Sequence, residues 1–124
     1  MREKKDLGDL GEKIAEKFLK DKGYRILDKN FRYSNFGELD IVASKDKNVI
    51  FFEVKTRKMT GPSEFLPEDN ITRDKQKKLI KLAEIYLSKH PATAGWQIDI
   101  LAIEIYRNGS FDIRHTENAI GDMW

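Results

Sequence analysis

Gly37-Glu38-Leu39-Asp40-Ile41-Val42-Ala43, then Ser44-Lys45-Asp46-Lys47-Asn48, then Val49-Ile50-Phe51-Phe52-Glu53-Val54-Lys55-Thr56-Arg57: the middle of the chain reads as two strands and a turn. The outer segments are rich in Val, Ile and Phe, which fit a pleated, half-buried surface. The five residues between them are turn chemistry, so an antiparallel hairpin is expected. A turn symmetric about Asp46-Lys47 sets Asp40 opposite Glu53, with Cβ atoms about 4.5–5.5 Å apart. Side chains alternate along a strand, so Glu38, Asp40 and Val42 share a face, as do Glu53, Lys55 and Arg57. The same register puts Lys55 opposite Glu38 and diagonal to Asp40.

Two carboxylates at that separation repel unless a proton or cation lies between them. On buried strands the unpaired charge is costly as well. A hard divalent ion answers both problems, and Mg²⁺ favours one or two carboxylates with water and phosphate oxygens around it. Lys55 points into the same space, where it can orient or deprotonate a water and stabilise charge on a phosphate. An ordinary cross-strand salt-bridge cluster has the same spacing, and spacing alone leaves both readings open.

Outward from the hairpin, Leu7, Leu10, Ile14 and Phe18 recur at helical spacing. They predict a helix over 6–22 with Asp6 as N-cap and Gly23 as its stop. Residues 24–32 read as a strand. The stretch 58–71, with Gly61, Pro62 and Pro67, shows no periodicity and reads as a functional or mobile loop. A second helix is predicted over 72–89, with Leu79, Leu82, Ala83 and Tyr86 on one stripe. Residues 96–106 are nearly all apolar, as in a strand covered on both faces. Asn108-Gly109 then turns the chain into a strand over 110–115. The order αβββαββ predicts one α/β domain over 1–124, a mixed sheet flanked by helices.

The chain's 124 residues, 40% hydrophobic and 35% charged, are globular in composition. No apolar run spans a bilayer. MREKKDLGDLGEK has no apolar stretch behind its basic start, so no secretory signal is expected and a cytoplasmic location is. The absence of cysteine excludes a thiolate zinc site and a thiol nucleophile. There is no HExxH, P-loop or GxGxxG pattern, so a zinc hydrolase or a nucleotide cofactor is not expected. The net charge of +2 is small, but residues 73–81 carry five basic groups against one acid and residues 53–58 three against one. Solvated helix lysines are the plain reading of such runs; next to a carboxylate cluster, phosphate contacts compete with it. Arg32, Arg57, Lys77 and Lys78 are the candidates for such contacts. Lys75, at the start of the core-facing stripe, either snorkels to solvent or reaches the site. Asp99, inside an apolar strand, requires a partner. His90 suits a helix end, and His115 reads as isolated.

The spacing of Asp40 and Glu53-Val54-Lys55 resembles the D…ExK signature of the PD-(D/E)xK nuclease superfamily. More closely, Gly11-Glu12, Ala15, Leu19, residues 23–27, Asn30-Phe31-Arg32, residues 37–41, residues 52–57, Lys75, Asp99, His115 and Asn118-Ala119 resemble the YraN family. That family of small bacterial proteins is similar to archaeal Holliday-junction resolvases. The loop over 58–71 is a few residues longer here, so no role is carried over to Glu64, while the core of the resemblance stands. The resemblance implies a restriction-endonuclease-like fold. It also implies Mg²⁺, with Mn²⁺ as substitute, held by Asp40, Glu53 and the carbonyl of Val54, and a Lys55 that assists the attacking water. Glu12 matches an acid that related resolvases contribute from the first helix. It further implies endonuclease action on DNA, branched or junction DNA included, and a two-fold homodimer. Ile120, Met123 and Trp124 would then cover either that interface or the chain's own core. A binding protein that keeps the fold without cleavage, and a phosphatase of small substrates, are the competing readings.

Overall fold

A computed structural model describes residues 2–59, 71–91 and 94–120. The described elements run α1 (Arg2–Asp21), β1 (Arg25–Arg32), β2 (Glu38–Lys45), β3 (Asn48–Lys58), α2 (Arg73–Lys89), β4 (Gly95–Ile105) and β5 (Phe111–Ile120). The order is αβββαββ, as expected. The strands form one mixed sheet in the order β1-β2-β3-β4-β5, antiparallel except for the parallel pair β3/β4 that α2 connects.

The central hairpin has the symmetric register: Lys45 pairs with Asn48, and the ladder runs back to Ile41 opposite Phe52. Asp46 and Lys47 make the turn with left-handed backbone, φ 52° and 70°. Positive φ at both central residues gives a two-residue turn whose twist matches the strands.

Each face of the sheet buries one helix. On one side Ala15 and Leu19 of α1 meet Ile41, Ala43, Ile50, Phe52, Leu101 and Ile103. On the other, Leu79, Leu82, Ala83 and Tyr86 of α2 meet Leu39, Val42, Val49, Phe51, Ile98 and Ile100. β4 is covered on both sides, with Ile98 to Ile105 buried throughout, as its unbroken apolar sequence requires.

Helix α1 differs from expectation in two ways. It begins at Arg2, so Asp6 lies inside it and is not its N-cap; the preceding Glu and Lys residues are good helix formers and nothing there breaks the helix. Its seam is also partly rotated: Leu7, Ile14 and Phe18 pack on the core as expected, but Leu10 is 46% exposed, and Ala15 and Leu19 are the fully buried positions. The cause is Gly11, whose missing Cβ lets the helix backbone approach β3; a Cβ there would lie 1.8 Å from Thr56 Oγ1. Gly11→Ala should therefore destabilise the protein by about 1–3 kcal/mol through overpacking. Gly8→Ala, with nothing within 4 Å of its Cβ, should stabilise by roughly 0.5–1 kcal/mol through helix propensity. Chemical denaturation of both variants checks the opposite signs.

Strand β5 runs five residues past the expected end at His115, carried through an irregularity in its pairing with β4 where Asn118 takes φ 48°. Ile120 at its end is buried in the α2-side core; Met123 and Trp124 lie outside the described residues, as do Glu64 and residues 60–70 of the long loop. His90 caps α2 through its N–H to Leu87 O and stacks on Tyr86 at 4.3 Å. Neither described helix is long and apolar enough to cross a membrane.

Candidate active site

The β2/β3 ladder stops at Ile41–Phe52, and one step beyond it Asp40 faces Glu53. There the regular pleat fails. Leu39 packs on the α2 side and Ile41 on the α1 side, although positions two apart on a regular strand share a face. On β1, Asn30 stands across from Asp40, between the pairs Lys29–Ile41 and Phe31–Leu39, and takes φ 55°. At Asp40 β2 leaves β3 but stays paired with β1 on both sides. The Asp40 carboxylate fills the gap by accepting the Val54 N–H at 2.8 Å, which fixes the Val54 peptide beside it.

The slip changes Asp40's neighbours. It interacts with Glu53, as the register implies, but also hydrogen-bonds Glu38 and feels the charge of Glu12 from α1. One oxygen each from Glu12, Glu38 and Asp40 lie within 4.8 Å of one another. Asn30 Nδ2 ties Glu12 to Glu38, at 2.9 and 3.1 Å, and Arg32 Nε holds Glu38 at 2.6 Å. The expected pairing of Lys55 with Glu38 does not occur. Lys55 Nζ lies 4.0 Å from Glu53 Oε1, and Lys75, from the first turn of α2, lies 3.6 Å from the same oxygen. Thr72 caps that turn by accepting the Lys75 N–H at 3.1 Å, so the cap aims Lys75 at the site.

Burial, then the charge of Glu53, pushes the Asp40 carboxyl up to about 9. Burial also raises Glu53, with Lys75 and Lys55 opposing it. Burial presses Glu38 upward too, but hydrogen bonds from Arg32, Asn30 and Asp40 outweigh it and hold Glu38 below the usual range. At neutral pH, without a metal, Asp40 is therefore the protonated member, sharing its proton with neighbouring carboxylates. Burial, then the hydrogen bond to Lys75, lowers Lys55. For Lys75 burial works downward, yet the bond to Lys55 and the charges of Glu53 and Asp40 raise it overall. Of the two, Lys75 holds its proton more tightly and Lys55 gives it up more readily.

The donor set is all carboxylate oxygen, suited to a hard cation. The three oxygens lie within 4.8 Å of one another, close enough for small side-chain rotations to bring them to the ~2.0–2.6 Å that hard divalent ions take. The residues fit a divalent metal.

Of the phosphate-contact candidates, Arg57 lies in a triad. Its Nη2 is 2.5 Å from Glu104, whose other oxygen holds Arg114 at 2.5 Å. Arg32 is engaged by Glu38. Lys77 and Lys78 are exposed on α2, Lys78 beside Asp74 at 3.4 Å. Asp99 finds its partner in His115, Nε2 to Oδ2 at 2.7 Å, and accepts from the Asn118 N–H and from Gln97. His115 is thus not isolated; it sits among the rings of Phe18, Tyr24 and Phe52.

Asn30 and Glu38 join the site without having been expected as members of it, and the triad of Glu104 and Arg114 with Arg57 was not foreseen either. A polar Asn in mid-strand opposite the key acid was a usable signal for Asn30. The β4/β5 pair had no usable signal, because their meeting depends on a register that the sequence does not display.

A model of the Uncharacterised protein family UPF0102 matches residues 11–103. A UPF0102 protein of Roseiflexus castenholzii is 37% identical over 117 residues, 92% of each chain. One of Syntrophomonas wolfei is 39% identical over 116 residues, 93% of this chain and 97% of its own. Among solved structures, Pyrococcus furiosus SfsA in complex with Ca²⁺ is similar at a TM-score of 0.41 and 18% identity, over 96% of this chain and 65% of that one. With identity sustained over nearly the full length of these relatives, and the family match spanning both the acidic cluster and the lysine pair, the chain belongs to UPF0102, the YraN family.

Proposed function

We propose that this protein is a Mg²⁺-dependent endonuclease that hydrolyses phosphodiester bonds in DNA, with branched or junction DNA as its favoured class of substrate. The observation that carries the reading is the convergence on Asp40 of carboxylates from α1, β2 and β3, with Lys55 and Lys75 alongside. The acids around Asp40 suit a cation, and the two lysines at Glu53 suit a phosphate drawn to it.

Asp40 and Glu53 would hold the metal, with Glu12 and Glu38 at its flank and the Val54 carbonyl as a further ligand. A divalent ion there would supply Lewis-acid charge for phosphodiester hydrolysis. The Lys55 amine, lowered by burial and by Lys75, takes the attacking water's proton. The Lys75 ammonium compensates the charge that grows on the phosphate. Arg32, Lys77 and Lys78 contact backbone phosphates away from the cut. Two copies acting as a homodimer would place two such sites on opposed strands. A non-catalytic DNA-binding role is the second reading, favoured by the small net charge of +2.

The test is a cleavage assay on labelled branched, flapped, duplex and single-stranded DNA, with Mg²⁺ and with chelator. Metal-dependent cuts are expected; DNA binding with no cut in any structure, with Mg²⁺ or Mn²⁺, gives the binding role the lead. Within this reading, Lys77→Ala with Lys78→Ala should weaken DNA binding and reduce its log–log salt slope by up to about 0.9 per lost contact on duplex. Titration across salt concentration reads that slope.

A further inference from the structure

Two glycines of α1, three residues apart on one side of the helix, meet opposite surroundings. At Gly11 the helix touches β3, and an added Cβ would lie 1.8 Å from Thr56 Oγ1; at Gly8 an added Cβ would meet nothing within 4 Å. Helix and strand therefore separate between these residues, and a wedge opens toward the start of α1. A glycine inside a helix weakens it relative to alanine. Close packing on Thr56 explains the glycine at position 11. No packing contact explains Gly8, which is half-buried beside open space.

The wedge is a cleft of about 380 Å³, the size of a site for one small ligand. Leu7 and Gly8 form its helix wall, Val54, Thr56 and Lys58 its strand wall, and Glu12 stands at the inner end. Arg57, already engaged by Glu104, adds to the strand wall. The inner end belongs to the candidate active site: Asp40 accepts the Val54 N–H, and a Glu12 oxygen lies with those of Glu38 and Asp40. From there the cleft runs outward along β3, about 13 Å from Val54 to Lys58.

Its ends differ in charge. The inner end is the carboxylate cluster. At the outer end stand Lys58, the last residue of β3, and Lys5, one turn before Gly8 on the same side of α1, both exposed. Asp6 falls on the opposite side of the helix from Gly8, and Asp9 lines a separate hollow with Glu16, Lys29 and Asn30 on the other side of Glu12. Between the ends, Leu7 and Val54 supply apolar surface. Cations along a groove, with apolar surface for bases, are the means by which single-stranded nucleic acid is held. A duplex, whose major groove alone is about 12 Å wide, is too large for this space.

We infer that the cleft between α1 and β3 is the channel for one unpaired nucleotide strand at the cut, and that Gly8 leaves the room for it. The inference rests on the nuclease reading above and sharpens its substrate: DNA with an unpaired strand at the cleavage point, such as a flap or an opened junction arm.

The test titrates the full chain with labelled flapped DNA and with blunt duplex, in chelator and in Ca²⁺. Wild type, Gly8→Ala and Gly8→Leu are compared, and each is melted with and without Mg²⁺. Wild type should prefer the flapped DNA. Gly8→Leu should weaken its binding about tenfold or more by clash, and duplex binding much less, which erases the preference. Gly8→Ala should fall between, and reads the same effect should leucine destabilise the chain. Both variants should melt no lower than wild type, since a side chain enters open space and a helix glycine is removed, and both should keep the Mg²⁺-induced shift. Folded Gly8→Leu with the full wild-type preference would overturn the channel. So would a wild type that holds duplex and flapped DNA alike, and metal-dependent cutting by that wild type would leave the nuclease reading standing. A wild type that neither binds nor cuts any of these DNAs would overturn both.

Discussion

In metal-free buffer at pH 8, Asp40→Asn is expected to be more stable than the wild type by about 2 kcal/mol, or roughly 6–10 °C in melting temperature. The sign follows from the proton. Asp40 is raised from 3.8 to about 9 in the folded chain. A raised carboxyl contributes its full stability below the unfolded value near 3.8 and loses it progressively as pH climbs toward 9. The wild type should therefore lose stability over that range from this group, and the asparagine variant should not. The amide is the right replacement: its oxygen still accepts the Val54 N–H, and its NH₂ donates to a neighbouring carboxylate as the protonated acid does. Mg²⁺ reverses the order. By mass action a ligand at 100 times its dissociation constant stabilises by about 2.7 kcal/mol, and only the wild type should gain it. Thermal melts across pH, with Mg²⁺ and with chelator, read both effects. Equal metal-induced shifts in the two proteins would exclude Asp40 as a ligand.

Lys55→Ala is expected to slow cleavage by about 10²–10⁴-fold, the range for loss of a general base. DNA affinity should stay within about threefold, because the role lies in the transition state. Its signature is in the pH profile. Lys55 acts as the neutral amine, and burial and Lys75 set its pKa below the ordinary lysine value of 10.5. The wild-type rate should rise with pH through that lowered value; the alanine variant should lose the limb. If the variant instead binds more weakly in proportion to its rate loss, Lys55 is a phosphate contact and the base lies elsewhere.

How much of this the sequence displays depends on which contacts are local. The β2/β3 register was legible because Ser44–Asn48 leaves room for one short turn, and the apolar runs on either side must both face cores. That placed Asp40 opposite Glu53. It did not reveal that β2 and β3 part there, where the Asp40 side chain takes the Val54 N–H. Lys55 therefore turns toward Lys75 and not toward Glu38. The α1 seam was legible at Leu7, Ile14 and Phe18, which pack on the core, but not at its centre. Leu10 carries more hydrophobicity than Gly11 and Ala15, yet close approach to Thr56 rewards the smaller residues. Asp99 announced its need for a partner, but His115 meets it only because β5 continues through the irregularity at Asn118.

The central claim is that the carboxylates around Asp40 hold a divalent metal, and Mn²⁺ bound to crystals of the protein tests it most directly through its anomalous scattering. The account predicts a peak within bonding distance of Asp40 and Glu53, next to Val54 and with Lys55 beside it, and no such peak in Asp40→Asn. A peak at Asp99, His115 and Glu117, the other group among the described residues with ligand atoms close enough to share an ion, and none at Asp40 would contradict it.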